Sequence, residues 1–207
     1  MIIAVDGPSA AGKGTIAHAV ATELGYHFLD TGTLYRMVGL AMLRSGSDLG
    51  DADRAANVAA SLDPAQFTGA ELRGERVAAA ASRVSALPAV RDKLLAFQRE
   101  FAARKPGAVL DGRDIGTVVC PEADIKIYVT AAADVRARRR YEELRETDTA
   151  ITFESVLADV RTRDERDTNR DVSPLLPARD AVIFDTSEMT RDEAVAAVLQ
   201  HIKLRRG

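Results

Sequence analysis

The sequence has very little cysteine and little lysine. Among 207 residues there is one cysteine, Cys120, and there are only five lysines, so arginine supplies most of the positive charge. A single cysteine excludes an intrachain disulfide and a cysteine-cluster metal site. Because Cys120 stands beside Val118 and Val119, we predict that it packs in the core and takes no part in catalysis.

The chain also lacks an apolar run long enough to span a bilayer and any excess of positive charge. Its formal net charge is −3, which argues against a general nucleic-acid or membrane binder. It begins directly with a core strand, so we expect no signal peptide. We therefore expect a cytoplasmic protein that binds neither nucleic acid nor membrane, and we expect a monomer.

The stretch from residue 7 to residue 15 carries the main chemical signal. It follows the apolar run Ile2–Val5 and precedes apolar residues at helical spacing, Ile16, Val20 and Leu24. A glycine-rich loop between a strand and a helix lets successive N–H groups point at one anion, while the lysine reaches the outer phosphates. The residues predicted to bind a nucleotide are Gly7, Pro8, Ser9, Ala10, Ala11, Gly12, Lys13, Gly14 and Thr15. The alternative is a tight turn that is glycine-rich without binding phosphate.

Alternating strand and helix patterns predict an α/β fold with a doubly wound sheet. We place the core at 1–49 and 105–207, a small insert over the crevice at about 50–104, and a short lid at about 145–172. The predicted strands are Ile2–Val5, Tyr26–Leu29 (buried), Ala108–Leu110, Ile125–Val129 and Ala181–Phe184.

The insert has a different pattern from the core. We predict helices over Asp51–Leu62 and Val77–Ala86, and a hairpin over Phe67–Arg76. A further helix follows Pro88, with Val90, Leu94, Leu95 and Phe97 as its core positions.

Polar residues follow two of the predicted strands, where an open parallel sheet binds its ligands. Thr31 and Arg36 come after the second strand, and Arg36 either points into the crevice or lies on the surface. Asp111 ends the third strand, a position suited to holding Mg²⁺ directly or through water, together with Thr15.

Arginines also gather on two later helices. Arg163, Arg166, Asp167 and Arg170 fall at i, i+3, i+4 and i+7, one stripe of one helix. An anionic ligand explains three guanidinium groups there better than a salt-bridged solvent face, which stays open as the alternative. On the preceding helix Arg136 shares a face with Arg140, and for that face we favour solvent over nucleotide contact.

Several motifs together resemble the bacterial cytidylate kinase family along nearly the whole chain. They are GPSAAGKGT, LDTGTLYR, LDGRDIGTVV, CPEADIKIYV and RDERDTNRDVSPL, in that order. The resemblance implies a P-loop nucleoside monophosphate kinase with a five-stranded parallel sheet, a monophosphate-binding insert and a short lid. It implies transfer of the γ-phosphoryl group of ATP to CMP or dCMP with Mg²⁺.

The resemblance also implies roles for individual residues. The acceptor phosphate would meet Thr31, Arg36 and Arg113, with Arg170 serving the phosphates from the lid side. Cytosine would be read by Ser82, Arg91 and Asp114, and the sugar by Arg163 and Asp167. The implied catalytic residues are Lys13, Arg113, Arg163 and Arg170.

One departure from the family pattern stays open. The chain runs from Val77 straight into an alanine-rich segment, so its insert is shorter than the family pattern.

Three rival functions also stay open. A different small-molecule kinase would share the P-loop but would not need the DGRD turn and the arginine stripe. A GTPase switch should show NKxD and DxxG motifs in suitable places, and a nucleic-acid-dependent ATPase should carry a basic surface. We expect His18, His27 and His201 to be packing or surface residues.

Overall fold

The computed structural model of the chain describes residues 1–146 and 148–206. Within them, five strands form one sheet: β1 (Ile2–Asp6), β2 (His27–Asp30), β3 (Ala108–Gly112), β4 (Ile125–Thr130) and β5 (Val182–Asp185). Their order across the sheet is β2-β3-β1-β4-β5. The pairs β1–β3, β1–β4 and β4–β5 are parallel, and Asp6 at the end of β1 lies opposite Gly112 of β3 and Tyr128 of β4.

All five predicted strands are present, which confirms the α/β class and the parallel sheet. The prediction that the second strand is buried is wrong. His27 is exposed, and Phe28 and Leu29 are only partly buried. β2 is an edge strand with one neighbour, so the sheet covers it on one side only.

The chain forms two compact units, and the first comprises Met1–Leu29 and Ala103–Gly207. In this unit α1 (Lys13–Leu24) and α8 (Arg191–Arg206) pack on one face of the sheet. Alternate strand residues such as Val5 and Ile127 meet Val20 of α1 and Val198 of α8 there. The predicted capping box at the start of α8 is confirmed, since the Glu193 carboxylate accepts from the Thr190 N–H at 2.8 Å.

Two more helices of the first unit pack against each other. They are α6 (Ala133–Arg145) and α7 (Phe153–Asn169). Ala137 of α6 and Val156 and Val160 of α7 form their buried contact. The predicted lid falls mainly on α7; it stays a prediction, and its residue Thr147 lies outside the described residues.

The second unit, Asp30–Ala102, is helical. Its core contains Leu34, Val38, Val84 and Val90. Its helices are α2 (Thr31–Arg44), α3 (Ala52–Ala60), α4 (Glu75–Val84) and α5 (Pro88–Ala102), with a 3₁₀ turn at Pro64–Gln66. α2 packs so closely on α4 that a Cβ on Gly39 would lie 2.9 Å from the Ala81 backbone nitrogen, so a larger residue would push the two helices apart.

Two predictions about the insert are wrong. The structure describes every residue of Phe67–Arg76, and this segment contains turns rather than a hairpin. The Glu71 carboxylate accepts from the Thr68 N–H at 2.9 Å, a local bond that takes the place of strand pairing. Phe97 is 38% exposed and therefore not a core residue, whereas Val90 and Leu94 are buried as predicted. The insert boundaries at 50 and 104 stay a prediction, and the second unit also contains α2.

In the part of the chain that the structure describes, no helix combines the length and the apolar character needed to cross a membrane.

Candidate active site

The loop between β1 and α1 has the strand–loop–helix arrangement that the sequence predicts. Its first residue, Gly7, has φ of 144°, and a Cβ there would lie 1.9 Å from the Val129 carbonyl oxygen. Only glycine can occupy this position, because no neighbour could move far enough to admit a side chain. Ala10 and Gly12 also have positive φ values, 58° and 89°, so the loop backbone curls repeatedly. Such a curl can direct several N–H groups at one anion.

Lys13, the first residue of α1, is buried at the base of this loop. Its Nζ donates to the Pro8 carbonyl at 2.9 Å and lies 3.8 Å from Asp111 Oδ1. Asp111 borders the start of α1, since a Cβ on Gly14 would lie 3.3 Å from its Oδ2 atom. Thr15 lies in the first turn of the same helix, and its side chain is exposed. Asp111, whose carboxylate is predicted to bind a metal ion, therefore borders the helix turn that carries Thr15, whose hydroxyl is predicted to bind the same ion.

Two side chains outside the loop hold its backbone. Arg136 Nη1 of α6 donates to the Ser9 carbonyl at 3.2 Å, and Thr186 Oγ1 donates to the Ala11 carbonyl at 3.2 Å. Arg136 also donates to both carboxylate oxygens of Asp164 on α7, at 3.0 and 2.6 Å. These bonds connect the loop with α6, α7 and the segment after β5.

The favoured prediction of a solvent face for Arg136 and Arg140 is therefore wrong for Arg136. Its side chain is buried because four acceptors, the carbonyls of Ser9 and Ala131 and the two oxygens of Asp164, satisfy its donors. Arg140 makes an ion pair with Glu143 at 2.9 Å. Helical spacing predicted that the two arginines share a face, but it could not indicate which residues contact each side chain.

Arg113 and Asp167 form a hydrogen-bonded ion pair. Arg113 Nε donates to Asp167 Oδ2 at 2.9 Å, and Arg113 Nη1 donates to the Gly112 carbonyl at 3.1 Å. Burial by itself would raise the pKa of Asp167, but Arg113, Arg163 and Arg170 together outweigh it and hold that pKa below its usual value. The structure thus gathers three predicted site residues, Arg113, Arg163 and Arg170, around the carboxylate of a fourth, Asp167.

Asp114 and Arg170 form a second pair, with 3.8 Å between Asp114 Oδ1 and Arg170 Nη2 and both side chains buried. Arg170 Nε also donates to the Ser173 carbonyl. The prediction that Arg170 lies on the helical stripe is wrong, because α7 ends at Asn169 and Arg170 has extended backbone angles. Beyond it the chain folds back, and the Leu175 N–H donates to the Asp167 carbonyl at 2.8 Å.

The other four predicted site residues lie in the second unit. Thr31 and Ser82 are buried, on α2 and α4. Arg36 is only partly buried, and its Nη1 donates to the Leu72 carbonyl at 2.9 Å, so it is not a freely solvated arginine. Arg91 Nη1 donates to the Ser85 carbonyl at 3.1 Å, and its guanidinium lies 5.5 Å from the centre of the Tyr35 ring. The binding roles of all four remain predictions.

Asp6, which directly precedes the loop, was missed at the sequence level. It is 4% exposed, and its carboxylate accepts from the backbone N–H groups of Ile115 and Gly116 at 2.8 and 2.7 Å. Burial raises its pKa to about 6 even though these two bonds lower it. Its place at the end of the strand that leads into the loop was the available signal.

The remaining candidates have packing roles. Cys120 is buried, and the rings of His18 and His201 make edge contacts with Phe28 and Phe184. Among residues 1–146 and 148–206, no three His, Cys, Asp or Glu side chains form a cluster that could hold a metal ion. A cavity beside Asp124, Lys126 and His201 lies at the amino ends of β4 and β5 and contains none of the predicted site residues.

A parallel sheet whose central strand leads into such a loop defines the P-loop fold class. Two solved structures have a similar fold: an uncharacterised protein from Eubacterium ventriosum (TM-score 0.54, 12% identity, 98% of each chain) and a sugar kinase from Janibacter sp. (TM-score 0.50, 15% identity, 98% of this chain and 94% of that one). At these identities the likeness shows the fold alone.

The family follows from sequence comparison. The family model "Cytidylate kinase" matches residues 3–204. The chain is 53% identical to a cytidylate kinase of Paramagnetospirillum magneticum over 99% of each chain. It is 52% identical to a cytidylate kinase of Rhodospirillum rubrum over 96% of this chain and 95% of the relative. The chain belongs to the cytidylate kinase family.

The buried Arg136 predicts a stability effect. Replacing Arg136→Lys keeps the charge but loses the bidentate bond to Asp164 and the bond to the Ser9 carbonyl, so we expect the free energy of unfolding to fall by about 1–3 kcal/mol. Urea denaturation followed by circular dichroism measures this change. The matched control is Arg138→Lys, two residues further along α6, where the arginine is exposed and lies over the Phe153 ring. Equal small losses in both variants would contradict the role of Arg136.

Proposed function

We propose that this protein transfers the γ-phosphoryl group of ATP to CMP or dCMP, forming ADP and CDP or dCDP. The observation that carries the proposal is the register of the two central strands. Because Asp6 and Gly112 lie opposite each other on β1 and β3, the P-loop and the Arg113–Asp114 turn leave the sheet side by side. Membership of the cytidylate kinase family over nearly the whole chain supports the same reading.

The loop from Gly7 to Thr15 is the proposed donor site. Its curled backbone and the N-terminus of α1 supply N–H groups to the ATP phosphates. Lys13 adds a positive charge that is already fixed by the Pro8 carbonyl and Asp111. A charge that is in place before the substrate arrives costs no reorganisation during transfer.

Thr15 and Asp111 are the proposed residues for Mg²⁺. A hydroxyl and a carboxylate are hard oxygen ligands, which Mg²⁺ prefers, and two protein ligands suffice because the ion keeps waters and phosphate oxygens around it. Asp111 fits this role because its carboxylate borders the first turn of α1. When bound, the ion would neutralise part of the charge on the ATP phosphates.

The proposed acceptor-phosphate residues are Thr31, Arg36, Arg113 and Arg170. A phosphate monoester is an anionic nucleophile at neutral pH, so the reaction needs no general base. It needs positioning in line with the leaving group and neutralisation of crowded negative charge. Guanidinium groups suit this task because each can donate to two phosphate oxygens at once.

The proposed base-reading residues are Asp114, Arg91 and Ser82. Cytosine has an N4 amino group, and a carboxylate such as Asp114 accepts from it. Its O2 and N3 atoms are acceptors that suit the guanidinium of Arg91. Uracil would instead place its O4 acceptor against the Asp114 carboxylate, and an unsatisfied buried polar group of this kind costs about 1–3 kcal/mol.

The sugar is assigned to Arg163 and Asp167. The lowered pKa of Asp167 keeps it ionised, so it can accept a hydrogen bond from a ribose hydroxyl. A cytoplasmic location and a monomeric state remain predictions from the sequence.

The proposed function predicts the order of acceptors in a coupled assay of ADP release. With ATP as donor, CMP and dCMP should show values of kcat/KM about tenfold or more above UMP, AMP and shikimate, since the mismatch costs about 1–3 kcal/mol. Shikimate tests the alternative of another small-molecule kinase. The proposal is falsified if CMP and dCMP give no more turnover than the other acceptors.

Asp114→Asn is predicted to reduce selectivity more than turnover. The amide can turn either its oxygen or its NH₂ group toward the base, so it accepts from cytosine or donates to uracil. We expect the CMP-over-UMP ratio of kcat/KM to fall about tenfold, close to 1.4 kcal/mol. Steady-state kinetics with both acceptors measures it.

The matched control is Asp180→Asn, which also removes an ion-paired carboxylate, 2.9 Å from Lys126 Nζ. It should leave the ratio unchanged, because Asp180 lies beside the amino end of β4 and outside the predicted site. Equal losses of CMP and UMP turnover in Asp114→Asn would remove Asp114 from base recognition.

A further inference from the structure

Asp6 makes a contact that the proposed chemistry does not use. Both of its carboxylate oxygens accept backbone N–H groups, from Ile115 at 2.8 Å and from Gly116 at 2.7 Å. These donors are 109 and 110 residues away in the chain. The side chain is 4% exposed, so a charge has been buried in order to make this contact.

The two N–H groups begin a π-helical turn, Ile115–Val119, that directly follows Arg113 and Asp114. Helix starts leave N–H groups without helical partners, and a carboxylate is the strongest acceptor a side chain can offer them. Asp6 therefore holds the backbone next to the residues proposed to bind the acceptor phosphate and the base. At its other side Asp6 is bonded to Gly7, the first residue of the P-loop.

We propose that Asp6 is a positioning residue for the acceptor: its carboxylate holds the turn after Asp114 in place, so that Asp114 and Arg113 keep their orientation when CMP binds. The inference rests on the proposed function, because it assumes that Asp114 and Arg113 meet CMP. Asp6 itself touches neither nucleotide in this account and takes no part in the chemical step.

Residue 116 lies close to the Asp6 carboxylate. A Cβ on Gly116 would lie 3.2 Å from the Lys126 side chain and 3.4 Å from Asp6 Oδ2, so residue 116 is packed directly over the carboxylate. On β4 the register partner of Asp6 is Tyr128, which is half-buried. An amide at residue 6 would keep one acceptor oxygen and turn an NH₂ group toward the second N–H, leaving that N–H unsatisfied.

The test is Asp6→Asn with three readouts. We expect KM for CMP to rise about tenfold (about 1.4 kcal/mol) and the CMP-over-UMP ratio of kcat/KM to fall. The dissociation constant of ATP, measured by calorimetry without CMP, should change less than about twofold, since the loop is held by Arg136, Thr186 and its own glycines. The control is Ile202→Val, a buried change in α8 that removes one methyl group from the core and should leave CMP kinetics unchanged.

The outcomes separate this inference from the proposed function. If the wild-type protein does not prefer CMP, the proposed function fails. If the wild type prefers CMP but Asp6→Asn keeps its KM and its preference, only the positioning role is overturned. An equal weakening of ATP binding would also overturn it, because Asp6 would then support the loop or the fold in general.

Amide hydrogen exchange on the wild-type protein gives a test that needs no variant. We expect the Ile115 and Gly116 amides to exchange slowly and to be slowed further by CMP, but not by ATP alone. Exchange at the rate of exposed loop amides, or no response to CMP, would overturn the proposal even if Asp6→Asn did not fold.

Discussion

The phosphate-binding loop depends on the close approach of its first residue to β4. Gly7 lies so near the Val129 carbonyl that a Cβ would come within 1.9 Å of the oxygen. This contact turns the backbone sharply as it leaves β1 and allows the curl that follows. Arg136 and Thr186 then hold the carbonyls of Ser9 and Ala11 from outside. The proposed donor half of the site is thus a backbone structure held by the lack of a side chain at Gly7 and by two hydrogen bonds.

Four cations of the first unit lie beside carboxylates. Lys13 lies beside Asp111, Arg113 donates to Asp167, Arg136 donates to Asp164 and Arg170 lies beside Asp114. Pairs of this kind fix guanidinium groups in one orientation before a ligand arrives, although burying them costs desolvation energy. In the proposed mechanism, phosphate oxygens would share or replace the carboxylate contacts of Lys13, Arg113 and Arg170. The proposed mechanism therefore depends on charged groups that are oriented before a ligand binds. Asp6 is proposed to orient the backbone of residues 115 and 116 in a similar way.

Much of the fold was predictable because it follows from local patterns. Apolar runs identified all five strands, and the loop glycines with Lys13 identified the strand–loop–helix arrangement of β1 and α1. Two wrong predictions depended on neighbours that are distant in sequence: spacing could not show that Asp164 and Ser9 cover Arg136 or that β2 is an edge strand. Two others involve local bonds, Thr68 with Glu71 in place of a hairpin and Arg170 with Ser173 beyond the end of α7. Asp6 was missed because its partners lie more than a hundred residues away.

The central claim is that one chain binds a donor and an acceptor nucleotide together. The most direct measurement is the affinity, by calorimetry, for a compound that joins the 5′ oxygens of adenosine and cytidine through five phosphates. Linking the two ligands makes the second binding event intramolecular, so the account predicts binding at least about 100-fold tighter than ATP or CMP alone. It also predicts weaker binding of the uridine counterpart. Affinity no greater than that of ATP, with no difference between the cytidine and uridine compounds, would contradict the account.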